Sequence, residues 1–194
     1  HDISVTRISA DAKGFIDPDE IAKSIQPNTR VVVVNHASNV TGVINPVKEV
    51  REILGSRGFI YLDIAQSAGH VPIYLDALDV DFVGVSAHKM YGPKGIGALY
   101  VRSDNPMVML EPIIHGGGQE ENLRSGTLNV PGIVGFGKAM EISQKEMNKE
   151  NHRFKPWMDS MLQKFQEIGG KQNGHPEKHL THNLNVRFDG IESK

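Results

Sequence analysis

DFVGVSAHKMYGPKGIGALYV, Asp81–Val101, sets two apolar runs, Phe82–Ser86 and Ile96–Val101, on either side of a small-residue turn bearing His88 and Lys89, with Gly92, Gly95 and Gly97 behind it. Short apolar runs bounded by Asp and Gly read as β-strands. The lysine therefore stands where a strand hands over to a loop, among glycines that let a ligand come close to the backbone. Further runs lie at Ile3–Ile8, Val31–Asn35, Phe59–Asp63 and, at the far end, Asn185–Phe188. Between them, DPDEIAKSI offers Asp17 as an N-cap, Pro18 at the first helical position and Glu20 at the capping-box position, and NPVKEVREIL repeats the proline-first start. Strands that alternate with helices predict an α/β layered domain with a mostly parallel sheet. Val31–Val34, apolar on both faces, predicts a central strand covered by helices on each side.

From Pro131 to Ile168 the spacing turns helical and rich in Lys, Glu, Gln and Met, and Pro156 predicts a break into two helices. GGKQNGHPEKHLTHN reads as a polar loop leading to the last strand. There is no internal repeat and no low-complexity tract. The chain opens on the strand-like HDISVTRIS and closes on NVRFDGIESK, which points to a piece of a longer protein. The chain is expected to divide at residue 150: 1–150 as the central and later part of a large domain, 151–194 as a lead into a second, smaller one.

With 194 residues the chain has the size of one domain. A formal net charge of −2 provides no basic field for nucleic acid or an anionic membrane. The sequence has no cysteine, hence no disulfide or zinc–thiolate site. No apolar run approaches the ~20 residues of a membrane helix, and a cytoplasmic protein is expected.

Lys89 gains meaning from its surroundings. Ser86 and His88 beside it offer phosphate donors. Upstream, YLDIAQSAG ends a strand with Asp63 and places Gln66 three residues on, and Asn39 follows the Val31–Asn35 strand in NHASNVTG. In open α/β sheets ligands lie at the carboxyl ends of the strands, so these side chains are expected to meet in one crevice. A lysine, an aspartate and phosphate donors at strand ends match the needs of pyridoxal 5'-phosphate: an amine to bind its aldehyde, a carboxylate to keep its ring nitrogen protonated, and polar groups for the phosphate and phenolic oxygen.

YLDIAQSAGHVPI, VSAHKMYGPKGIGALYVR and GGGQEENLRSGTLNVPGIVGFGKA, in that order, resemble the class V aminotransferase family of pyridoxal phosphate enzymes, and the last motif most resembles its cysteine desulfurase branch. The likeness covers almost the whole chain. It implies part of a fold-type I large domain, a three-layer α/β/α sandwich. It implies Lys89 as the Schiff-base lysine, Asp63 at the pyridine nitrogen, Gln66 and Asn39 at the phenolic oxygen, and Ser86 and His88 at the phosphate. Thr127, in RSGT, matches a residue that reaches the phosphate of the neighbouring subunit, which implies a homodimer with shared sites. The implied reaction takes sulfur from L-cysteine, leaving alanine and an enzyme persulfide for a sulfur-acceptor protein, in iron-sulfur cluster or thio-cofactor supply. The chain departs from many desulfurases in SNVTG, where Val40 replaces an acidic residue, and it lacks the nucleophilic cysteine, whose loop is expected beyond Lys194 together with a substrate-binding arginine. The fragment alone is then expected to be inactive and, with apolar surface laid bare at the lost junction, poorly soluble. A class V aminotransferase, a selenocysteine lyase and a noncatalytic domain of the same fold are the alternatives.

Other signals are weaker. GIVGFGKA, Gly132–Ala139, approaches a P-loop but ends in Ala139 where a hydroxyl would hold magnesium, and no strand leads into it. His175, His179 and His182 are expected in a solvated loop, and the Lys/Glu run of 141–155 on a solvated helix face. His36 and His115 read equally as packed or functional.

Overall fold

The computed structural model describes residues 3–104 and 108–191. Its elements are α1 (Pro18–Ser24), β1 (Val31–Asn35), α2 (Val47–Leu54), β2 (Phe59–Asp63), α3 (Leu75–Leu78), β3 (Phe82–Ser86), β4 (Gly97–Val101), α4 (Val130–Glu167), β5 (Lys171–Gln172) and β6 (Val186–Arg187). The main sheet has the order β1-β2-β3-β4; the first three strands are parallel and β4 returns antiparallel to β3. This is the α/β architecture with a mostly parallel sheet.

Strand register makes the core. Val34 pairs with Leu62 and Leu62 with Val83, so one face of the sheet carries these three together with Ile60. Parallel neighbours need a crossover, and α2 supplies the first. Its buried Val47, Val50 and Leu54 fall at i, i+3 and i+7, one stripe of the helix. Ile21 of α1 and Phe136 and Ala139 of α4 close the same cluster. Leu54, Ile60 and Leu62 are fully buried, and each such side chain is worth about 1.5–3 kcal/mol relative to exposure.

The opposite sheet face is open. Val33 is 72% exposed, Leu99 51% and Val31 49%. Helices therefore cover one face, and among the described residues two of the three expected layers are present. β1 is an edge strand rather than the covered central strand its composition predicts, because no described strand pairs outside it. The expected strand Ile3–Ile8 is not formed: Ile3 and Val5 are exposed, and alternation without a neighbouring strand leaves the backbone no ladder to join.

Two helix expectations change as well. Asp17 caps α1 by accepting the Asp19 N–H at 2.9 Å, but Glu20 turns to Lys23 at 2.6 Å, so no capping box closes. Pro156 does not divide α4, which runs unbroken from Val130 to Glu167. Pro156 and His152, whose carbonyl loses its helical donor, both lie on exposed positions, where water can take the carbonyl.

At the amino ends of the strands the buried Asp81 carboxylate accepts the Ile60 N–H at 2.8 Å and pairs with Arg51, with Arg102 at 3.8 Å. The 171–187 segment is more structured than a polar loop. β5 and β6 pair antiparallel, and the Ile44 N–H donates to Lys178 and the Leu180 N–H to Gly42, each at 2.9 Å.

Candidate active site

The parallel register sets Asn35 beside Asp63 and Asp63 beside Gly84, at the carboxyl ends of β1, β2 and β3. Ser86, two residues beyond Gly84, shares their face. Asp63 and Ser86 line a shallow cavity of about 400 Å³ with Tyr61, Ala65, Gly84 and Leu99. Glycine at 84 leaves room for the Tyr61 ring: a Cβ there would stand 2.2 Å from the Tyr61 Oη and push the ring aside. The Ala65 N–H donates to Asp63 Oδ1 at 2.8 Å, and among the described residues nothing occupies Oδ2.

β3 runs directly into a 3₁₀ turn, Ala87–Met90. Ala87 and Met90 are buried and pin the turn to the core, which leaves His88 and Lys89 exposed. Ser86 Oγ and His88 Nδ1 share a hydrogen bond of 2.8 Å. Among the described residues neither an ion pair nor a hydrogen bond holds the Lys89 ammonium. Tyr91 ends the turn in the left-handed region, φ 64°, a conformation a bulky residue keeps only where its surroundings impose it.

Asn39 sits exposed at the tip of the loop after β1. Ser38 Oγ accepts the N–H groups of Val40 and Thr41 at 3.2 Å each, and Asn185 Nδ2 donates to the Val40 carbonyl at 3.1 Å from the far end of the chain. Gly42, at φ 72°, allows Asn183 to lie against it; a Cβ there would meet the Asn183 Cβ at 2.7 Å. Gln66 is half-buried in the turn after β2, and Thr127 is exposed in the loop before α4. The cavity thus brings together Asp63 and Ser86, with His88 tied to Ser86; Asn39, Gln66, Lys89 and Thr127 do not line it.

The remaining histidines resolve one by one. His36 is buried, with Nδ1 2.8 Å from the Ser67 Oγ, joining the β1 and β2 exit loops; burial lowers its pKa. His115 is exposed. His175, His179 and His182 do not form the solvated loop expected of them and do not converge. His175 packs on Phe15 at 5.9 Å, His179 bridges to Val43, and His182 stacks on His70 with centroids 4.0 Å apart. Gly132–Ala139 forms the first turns of α4, capped by Asn129, whose side chain accepts the Gly132 N–H at 3.1 Å. The Lys/Glu run does form an exposed ladder, Lys138–Glu141–Lys145 and Glu146–Lys149. His70 is the residue the sequence did not single out; QSAGH gives no hint that its ring reaches the Lys89 backbone.

The family model of aminotransferase class-V matches residues 1–194. The chain belongs to the class-V aminotransferase family. Among curated members, cysteine desulfurase IscS 1 of Archaeoglobus fulgidus is 43% identical over 188 residues, 96% of this chain and 48% of that protein. Cysteine desulfurase IscS of Dictyoglomus turgidum is 38% identical over 193 residues, 98% of this chain and 48% of that protein. Among solved structures, a NifS-like protein superposes with a TM-score of 0.91 at 35% identity, covering 96% of this chain and 51% of the other. DndA from Streptomyces lividans superposes at 0.87 and 33% identity, covering 96% and 53%. The chain spans about half the length of the curated relatives it matches. No helix among the described residues is long and apolar enough to cross a membrane.

Proposed function

We propose that the protein carrying this class-V chain is a pyridoxal phosphate-dependent cysteine desulfurase, converting L-cysteine to alanine and passing the sulfur to a thiol. The observation that supports it most is the set of polar groups at the carboxyl ends of β2 and β3: Asp63 Oδ2 and the Lys89 ammonium, neither with a partner among the described residues, and the Ser86–His88 pair. Their chemistry fits the cofactor, which needs an acid for its ring nitrogen, hydroxyl and imidazole donors for its phosphate, and an amine for its aldehyde. The names of the curated relatives support the choice of cysteine.

When bound, pyridoxal 5'-phosphate supplies an electron sink for the bonds at the α-carbon of an amino acid. Lys89 Nζ would hold the cofactor through its aldehyde and, as a free amine, would take the substrate's α-proton and return a proton to carbon. Asp63 holds the proton on the ring nitrogen. Ser86 and His88 would hold the phosphate, Gln66 and Asn39 the phenolic oxygen, and Thr127 would reach the phosphate of a second subunit in a homodimer. A cysteine thiolate would attack the substrate Sγ, the S–S bond of a persulfide forming as the Cβ–Sγ bond breaks with its electron pair left on the carbon, which is protonated to give alanine. With no cysteine in these 194 residues, that thiol must come from elsewhere in the protein, and a sulfur-acceptor protein, in iron-sulfur cluster or thio-cofactor supply, relieves it of the sulfur. We place the catalysis in the cytoplasm and assign 151–194 to the passage into a smaller domain. The test is alanine formation from L-cysteine by the full-length protein with a reducing thiol. Lys89→Ala is expected to abolish it; transamination of another amino acid with no alanine from cysteine would move the protein to the aminotransferase reading.

A further inference from the structure

Lys89 owes its place to a turn with few bonds of its own. The Tyr91 and Gly92 N–H groups both donate to the Ala87 carbonyl, which leaves the Lys89 carbonyl outside the turn's own bonding. His70 meets it: Nε2 lies 3.2 Å from the Lys89 oxygen, and because a carbonyl only accepts, Nε2 carries the hydrogen. Among the described residues that carbonyl has no other hydrogen-bond donor.

His70 is itself held on three sides. Asn151 of α4 donates Nδ2–H to the His70 carbonyl at 2.9 Å. His182 stacks on the ring at 4.0 Å, tilted by 39°, and Tyr91 meets it edge-on at 6.5 Å. A residue held at its backbone by α4 and at its ring by His182 and Tyr91, and spending its one ring N–H on the lysine's backbone, has a narrower task than filling space.

We propose that His70 is a positioning residue for Lys89, fixing the backbone of the 87–90 turn and with it the arc through which the lysine side chain reaches the Asp63 cavity. This rests on the reading of Lys89 as the covalent anchor. Asn151 and His182 act at one remove, by holding the His70 ring and backbone.

Two substitutions separate positioning from packing. His70→Phe keeps a ring for His182 and loses the donor; His70→Gln restores a donor without the ring. The readouts are amide hydrogen exchange at residues 88–92 in the cofactor-free full-length protein and the rate at which added pyridoxal phosphate becomes attached to Lys89. H70F is expected to speed exchange at those amides about fivefold, the order set by loss of one neutral hydrogen bond, and to slow attachment, with β2 and α4 unchanged; H70Q is expected to recover both. Exchange at 88–92 in H70F equal to wild type, or H70Q as altered as H70F, overturns the proposal. Should H70F loosen β2 as well, Asn151→Ala decides: faster exchange confined to 88–92 supports positioning, and unchanged exchange there overturns it. Borohydride trapping of the cofactor on a lysine other than Lys89 in the wild-type protein would refute the anchor reading and leave the exchange result standing by itself.

Discussion

At the scale of single residues, what distinguishes the site is how little of its charge is spent internally. Asp63 lines the cavity and, among the described residues, commits only one oxygen, to its own loop. Asp63→Asn keeps the shape and removes the charge that would hold a proton on a ring nitrogen, so alanine formation is expected to fall about 10²–10³-fold, the scale for losing one preorganised electrostatic partner; a loss under threefold would remove Asp63 from that role. The histidines make a separate prediction. Burial, and then the charge of His70, hold the His182 pKa down to about 4, and burial lowers that of His36. Below pH 6.5 the unfolded chain binds protons at these positions that the folded chain does not, so their stability is complete above that pH and drains away on acidification, for His182 over the window from 6.5 to about 4. Thermal melts from pH 7.5 to 4.5 are expected to fall, and His182→Gln to flatten part of that fall; an identical slope in the variant would contradict the assignment. The nearness of Asp63, Ser86 and His88 was legible in the sequence because strand ends in an open α/β sheet converge, whereas the roles proposed for them and for Lys89 rest on residue type. His70 was not legible, since its contact depends on how the turn after β2 folds back on the turn after β3, and nothing local records that.

At the scale of elements, strands and helices followed from apolar runs and caps, and the errors have one cause. Alternation at Ile3–Ile8 and the two-faced apolar Val31–Val34 describe what a strand can pair with or be covered by, not whether the partner is present. Pro156 shows the converse, a local breaker overridden by a long helix. Replacing it with Ala restores a donor to the His152 carbonyl on an exposed face, which is expected to raise stability by about 1–3 kcal/mol, read as a higher denaturation midpoint; a lower one would mean that Pro156 relieves a strain elsewhere. The Asp81 cluster secures the end of the sheet opposite the site. Asp81→Ala takes the buried carboxylate from Arg51, which keeps Asp79 at 3.5 Å, and strips the Ile60 amide of its acceptor, so a loss of about 1–3 kcal/mol is expected in chemical denaturation. A loss under 1 kcal/mol would mean the pair is solvated.

At the scale of the whole molecule, two surfaces look unfinished. The open sheet face exposes Val31, Val33 and Leu99, and the stretch before and into α4 exposes Ile113, Val130 and Val134, Ile113 to 93%. Apolar areas of this kind mark contact with further protein, in keeping with a chain half the length of its curated relatives and with the proposed dimer. Thr127 lies within the second stretch, and trans action by it has a distinctive signature. A heterodimer of one Lys89→Ala subunit and one Thr127→Ala subunit contains one intact site if Thr127 serves its neighbour, and none if it serves its own chain. Half of wild-type activity is expected, against near-zero for either homodimer; no recovery would place Thr127 in its own subunit's site. The proposed chemistry depends on the lysine in the SAHKMYGPKG turn being the point of attachment. Borohydride reduction of the full-length protein with pyridoxal phosphate, followed by peptide mass analysis, should find the cofactor on the peptide containing Lys89 and no longer find it there after L-cysteine is added in excess before reduction. Cofactor on any other lysine, or bound cofactor that borohydride cannot fix, would contradict the assignment of this chain's site.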